Sequence, residues 1–161
     1  VSSVKMPVDM KCAFLTETYI GLAELVASRN TDFVLPHVGQ KESKLKKYLG
    51  AVIEYYGKEI FRVEHKIGID VFCGVLKESR NRIAHIKAKQ GKLFLNGAES
   101  VLYLCKLSTF YRVILLNMLE IPSASYESDL KKRIDTLNQW NGVLDNFIKR
   151  LQDSAKIKAS T

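Results

Sequence analysis

Arg80-Asn81-Arg82-Ile83-Ala84-His85 places a guanidinium, a carboxamide and an imidazole within six residues. An imidazole near its ordinary pKa of about 6.5 can accept or donate a proton at neutral pH. A guanidinium stays charged and can hold two non-bridging phosphate oxygens, stabilising charge that builds in a transition state. Asn81 could orient either the imidazole or the phosphate through its amide. These types suit phosphodiester chemistry in RNA, where the adjacent 2′-OH supplies an internal nucleophile that DNA lacks. No cluster with metal-ligand spacing accompanies them in the sequence, so the chemistry expected needs neither a metal nor another cofactor. On an ideal helix Asn81 and His85 share a face, whereas Arg80 and His85 stand about 140° apart. Both can face one pocket only if the helix ends or distorts near His85, and Gly91 with the polar stretch Lys87 to Lys92 allows such an ending. The hexapeptide alone is a short pattern. Taken by itself it is weak, and an exposed arginine beside a histidine that caps a helix C-terminus is the commoner source of such a pattern.

The surrounding charge narrows the choice. The chain carries a formal net charge of +8 and a pI near 9.4, which points to an acidic partner and says nothing about fold. Between residues 77 and 92, Lys77, Arg80, Arg82, Lys87, Lys89 and Lys92 face a single acid, Glu78. Lys77, Arg82, Lys87, Lys89 and Lys92 are therefore the candidate RNA contacts, able to supply sequence-independent, salt-sensitive binding to phosphates. A second basic run, Lys41, Lys44, Lys46 and Lys47 with Glu42, reads as a solvated face. Phe72, Phe94 and Tyr103 lie near the larger cluster in sequence and read as core rather than as platforms for stacked bases. His37, in a Pro-Gly loop, and His65, in a charged segment, read as surface residues.

Helices must position the motif. The 161 residues are 47% hydrophobic, enough for one domain with its own core and too apolar for a disordered chain. Leu15, Tyr19, Leu22 and Val26 form one helical stripe, and Leu45, Leu49, Val52, Tyr56 and Ile60 form a second. Residues 29 to 40 read as a loop between them. A third helix runs from near Ile69 through Phe72, Leu76, Ser79 and Ile83. Residues 101–119 are apolar at 14 of 19 positions, yet Lys106 and Arg112 would each cost about 2.5–3.5 kcal/mol at the centre of a membrane helix, so a buried core helix is expected instead of a membrane span. Leu130, Ile134, Leu137, Asn141, Leu144, Ile148 and Leu151 predict one last helix, whose stripe packs within the bundle or against another copy. A short hairpin or ordered loop is expected near residues 86–95, around Gln90-Gly91. The expected architecture is an all-α bundle of about five helices over residues 10–152, with an N-terminal extension at 1–9 and a flexible tail at 153–161. Cys12, Cys73 and Cys105 are odd in number and widely spaced, which suits reduced, mostly buried thiols in a cytoplasmic protein. The first residues, Val-Ser-Ser-Val-Lys-Met-Pro, contain no apolar signal core, and the absence of an initiating Met suggests a piece of a longer protein.

With these blocks in order, the chain resembles the HEPN superfamily of helical domains, most closely the C-terminal HEPN domain of ApeA-type anti-phage proteins. The resemblance covers roughly residues 10 to 150. It rests on Lys44-Leu45-Lys46-Lys47-Tyr48-Leu49, on Glu78-Ser79-Arg80-Asn81-Arg82-Ile83-Ala84-His85, on Gly91-Lys92-Leu93-Phe94-Leu95-Asn96-Gly97-Ala98-Glu99, and on Leu115-Leu116-Asn117-Met118-Leu119-Glu120-Ile121. It implies an all-helical bundle and a metal-independent endoribonuclease active in abortive infection. Two R-x(4–6)-H motifs would meet across a homodimer cleft as a composite site, with Arg80 as the motif arginine, Asn81 its polar companion and His85 its histidine. Cleavage would leave a 2′,3′-cyclic phosphate and a 5′-OH. The resemblance also implies a further N-terminal, regulatory region that this chain does not supply. It implies too an acidic residue on an early helix, for which Glu17 and Glu24 are equivalent possibilities. The alternative is a non-catalytic module of the same kind that binds RNA or a partner protein.

Overall fold

Pro7 opens the first helix with its fixed φ of −54° and no N–H to waste. In the computed structural model, which describes residues 5–84 and 92–159 (side chains through Ser154), α1 spans Val8–Arg29. α2 follows at Lys44–Tyr56, a one-turn α3 at Arg62–His65, α4 at Ile69–Ala84 and α5 at Gly97–Met118. A 3₁₀ turn at Ser123–Ser125 leads to α6 at Glu127–Asn138 and α7 at Asn141–Ala159. The described residues contain no strand. The protein is an all-α bundle.

Local chemistry sets the ends. The Ser43 side chain accepts from the Lys46 amide at the start of α2. The stripe through Ile60 breaks at Gly57, where a Cβ would stand 2.9 Å from the Ile53 carbonyl oxygen and 3.0 Å from the Phe61 ring. Gly57 is the residue on which α2 ends, and Ile60 reaches the core from the turn that follows. Gly68, at φ 110°, makes the bend into α4 that a side chain would resist. Asn96 and Glu99 form a reciprocal capping box at the start of α5.

α5 is the spine. α1 packs along it and against α4, and α2 packs on α1 and α4. Between them lies a nested aromatic core. Phe72 and Tyr103 rings sit 4.9 Å apart, Tyr103 and Phe147 5.2 Å, and Phe61 and Phe110 5.3 Å. All five are fully buried, and the Tyr19 hydroxyl donates to the Leu107 carbonyl at 2.6 Å to lock α1 onto α5. Phe72 and Tyr103 are thus core, as their sequence setting implied.

Lys106 explains how so apolar a helix sits in the bundle. α5 is the one helix among the described residues long and apolar enough to cross a membrane. Its central ammonium is nevertheless fully buried, 2.7 Å from Glu64 Oε1 on α3 and 2.9 Å from Asn138 Oδ1 on α6. Burial lowers the Lys106 pKa, and the Glu64 carboxylate partly offsets that. Glu64 Oε2 and the Tyr103 hydroxyl are buried without hydrogen-bond partners; the phenol is near enough to feel the carboxylate, but not in bonding geometry.

The single last helix expected from its four-three spacing is two helices. Asn138 is the reason. Its side chain is drawn inward to Lys106, the Ile134 carbonyl and the Glu59 carbonyl. The chain turns through Gln139 and Trp140 before α7 begins, and Leu137, Leu144 and Leu102 close a second small core there. Leu130, Ile134 and Leu137 therefore pack from one helix and Leu144, Phe147 and Leu151 from another. α1 also begins two residues before the expected domain start, and α7 extends past residue 152 to Ala159. Residues 85–91, most of the expected hairpin, lie outside the described residues; Lys92 to Leu95 are irregular.

A buried ion pair is weak stabilisation when whole and costly when halved. Lys106→Met alone should lower unfolding free energy by about 3–5 kcal/mol, because Glu64 is left charged in the core. Lys106→Met combined with Glu64→Gln should recover most of it in urea denaturation. A single-variant loss below about 1 kcal/mol would mean that Glu64 finds water.

Candidate functional site

Arg80 lies on the last turn and a half of α4, on the side that meets α1. Its Nε stands 2.7 Å from Glu17 Oε2, an ion pair bent away from hydrogen-bond geometry, and its Nη1 donates to Asn81 Oδ1 at 3.1 Å. A carboxylate and a carboxamide thus hold the guanidinium from two directions. Glu24, seven residues after Glu17 and on the same face of α1, instead pairs with Lys44 at 2.6 Å. Of the two acids that the sequence could not separate, Glu17 is the one that reaches Arg80. Arg80 and Glu17 remain about a third exposed, so the pair is open to an incoming anion.

His85, Lys87 and Lys89 lie outside the described residues. The segment that follows them is tied down from four sides. The Leu95 amide donates to Ser79 Oγ on α4 at 2.8 Å. Arg150 on α7 donates from Nη2 to the Phe94 carbonyl at 2.8 Å and from Nη1 to both oxygens of the buried Glu99. Glu99 in turn accepts from the Asn96 amide at 2.8 Å. Arg82 lies over the Phe94 ring at 3.9 Å, a cation–π contact at an exposed site. Phe94 is half-buried rather than core. Sequence reasoning missed Arg150 and Glu99 altogether, since they lie 51 residues apart; the capping-box spacing Asn96 to Glu99 was the one visible sign.

Lys77 and Lys92 are brought together, but around an acid. Their ammonium groups lie 3.4 and 3.2 Å from the same Glu78 Oε1. Burial would raise the Glu78 carboxyl, yet the hydrogen bond and charge of Lys92, with the charge of Lys77, hold it below its ordinary value of 4.5. Its contribution to stability is therefore in place above pH 4.5 and lost as pH falls through the lower folded value. The second basic run is mostly paired: Lys44 with Glu24, Lys46 with Asp70 and Lys47 with Glu42.

A cavity of about 30 Å³ lies behind the motif helix, lined by Cys12, Thr16, Ser79, Ile83 and Leu95 among others. It has room for little more than water. Burial pushes the Cys12 thiol up to about 12, and Cys73 higher still, so neither offers a thiolate at neutral pH. Of the two other histidines, His37 is exposed as expected. His65 is not a surface residue: it is mostly covered, 3.8 Å from Glu54, with Nε2 buried and unpartnered. The one-turn helix α3 turns it inward beside Glu64.

Arg150→Leu should destabilise the protein by about 2–3 kcal/mol in urea, since Glu99 is left buried and charged, discounted for the partial exposure of Arg150. Glu17→Gln should cost under about 1 kcal/mol, because that pair is part-exposed. Equal losses would show that the segment after residue 91 is not held by Arg150. Compared with protein-family models, with curated proteins and with solved structures, the chain matches none.

Proposed function

We propose that the protein is a metal-independent endoribonuclease of the HEPN type, acting on RNA through Arg80, Asn81 and His85. The observation that carries this reading is the held yet part-open Arg80 guanidinium, fixed by Glu17 and Asn81 at the end of α4 and flanked by basic side chains.

The chemistry follows from the residue types. His85 takes the proton of the 2′-OH, whose oxygen attacks the adjacent phosphorus. The bond from phosphorus to the 5′-oxygen breaks, and that oxygen leaves with a proton from a protonated imidazole or water. The products are a 2′,3′-cyclic phosphate and a 5′-OH. Arg80 stabilises the extra negative charge on the non-bridging oxygens, and Asn81 keeps its guanidinium in place. Glu17 is a positioning residue, since it acts through Arg80. Arg82, Lys77 and Lys92, with Lys87 and Lys89, hold the flanking phosphates.

A symmetric site needs a second motif, so the active species is a homodimer. Its support is on α1: Phe14 (54% exposed) and Leu25 (42%) lie on one outward face, with Gly21 between them bare of neighbours. Phe14 is one turn from Glu17, so a copy seated there would lie beside Arg80. The biological setting is RNA cleavage in anti-phage abortive infection, and a cytoplasmic location accompanies it.

Labelled single-stranded RNA, incubated with the wild type in EDTA, should be cut to cyclic-phosphate ends. Arg80→Ala and His85→Ala should each lose at least about 100-fold in rate, the usual size of a general-base or charge-stabilising contribution. Phe14→Glu should be monomeric by light scattering and equally inactive. Cleavage that survives in His85→Ala would remove the assignment. RNA bound tightly but never cut would favour the non-catalytic binding module.

A further inference from the structure

Along α4 from the motif runs an open groove of about 400 Å³ between α2, α4, α7 and the segment after residue 91. Gly74 leaves its floor bare: a Cβ there would touch only the end of the Lys46 stem, at 3.8 Å. Gly74 and Asn81 are seven apart and share a face of α4, so the groove opens on the side of α4 that carries Asn81. Three ammonium groups, those of Lys46, Lys77 and Lys92, line it against two carboxylates, Asp70 and Glu78. These charges are unequally placed. Glu78 is bedded in the wall, its side chain only 16% exposed, whereas Lys77 and Lys92 are 31% and 46% exposed.

We propose that this groove is a second phosphodiester subsite for single-stranded RNA, gripped by Lys46, Lys77 and Lys92, and that Glu78 is an internal competitor that limits its affinity. The proposal rests on the ribonuclease reading and adds where the strand goes beyond the reacting phosphate. A long lysine stem can swing from Glu78 to a phosphate while the carboxylate stays in the wall. Each such exchange gives up a contact already made, so the site holds RNA more weakly than its lysine count suggests. Asp70 restrains Lys46 in the same way at 2.6 Å, but from a largely exposed position where the pair is worth little. The groove therefore takes a polyanion loosely, which suits a strand that must be released after cutting.

The test is the affinity of a fluorescein-labelled single-stranded RNA of mixed sequence, read by anisotropy in the full chain with His85→Ala to prevent cleavage. One phosphate contact to a single strand changes the logarithm of affinity by about 0.7 per decade of salt, which is about fivefold at 0.1 M relative to 1 M. Glu78→Gln should tighten binding by about fivefold and steepen its salt dependence. Lys46→Gln should weaken binding by about fivefold, while Lys132→Gln, on the exposed face of α6, should leave it unchanged. Affinity that is unchanged or weaker in Glu78→Gln overturns the competitor, and Lys46→Gln behaving like Lys132→Gln overturns the subsite. If the wild type cuts RNA while every groove variant is silent, the subsite falls and the ribonuclease reading stands. If the wild type neither binds nor cuts RNA, both fall.

Discussion

An ammonium group cannot be left alone among aromatic rings, and α5 carries one at its centre. Lys106 obliges α5 to bring Glu64 and Asn138 with it, so α3, α5 and α6 are tied at one fully buried point. The consequences spread outward. Asn138, turned inward to Lys106, ends α6 and forces the turn through Trp140, and that turn sets the line along which α7 returns over α5. α7 then delivers Arg150 to Glu99 and to the Phe94 carbonyl. A charge in the middle of an apolar helix thus fixes, through two helix ends, the segment that begins at Lys92.

The site itself is shared between a rigid part and a tethered one. Arg80 and Asn81 stand on α4, which packs against α1 and α2 and buries Phe72, Cys73 and Leu76 in the core. The return segment from Lys92 to Asn96 has no ladder of its own, so Ser79, Arg150, Glu99 and the Arg82–Phe94 stack hold it. Helix-borne groups are placed more precisely than groups on irregular segments, and here side chains from α4, α5 and α7 fix the irregular one. In the proposed ribonuclease, the same division separates the phosphate-holding arginine from the groove of lysines around Glu78.

Hydrophobic spacing was enough to find α1, α2, α4 and α5, because Tyr19, Leu22, Val26, Leu49, Val52, Phe72 and Leu76 are core residues on faces of helical period. It failed where a polar side chain overrode the period. The stripe from Leu130 to Leu151 runs straight through Asn138 and gives no warning that its amide is claimed by a lysine 32 residues away. The same holds for Gly57, whose necessity is visible only when the Ile53 carbonyl and Phe61 ring are in place. At the site, residue types and charge density pointed to Arg80, Asn81 and their lysines. Glu17 was legible only as one of two possible acids, and the Glu99–Arg150 pairing was invisible, since it joins distant helices and long-range pairing leaves no local pattern. Charge counting also overstated the free positive surface: Lys77 and Lys92 share Glu78, and three of the four lysines between 41 and 47 already have carboxylates.

The central claim is that an internal 2′-OH, activated at this motif, breaks the phosphodiester. Its most direct test compares two oligonucleotides of one sequence, all-ribo and all-2′-deoxy, incubated with the wild-type protein in EDTA. The account predicts cutting of the ribo strand alone, with 2′,3′-cyclic phosphate at the new ends. Cutting of the deoxy strand, or 3′-OH ends on the ribo products, would contradict it.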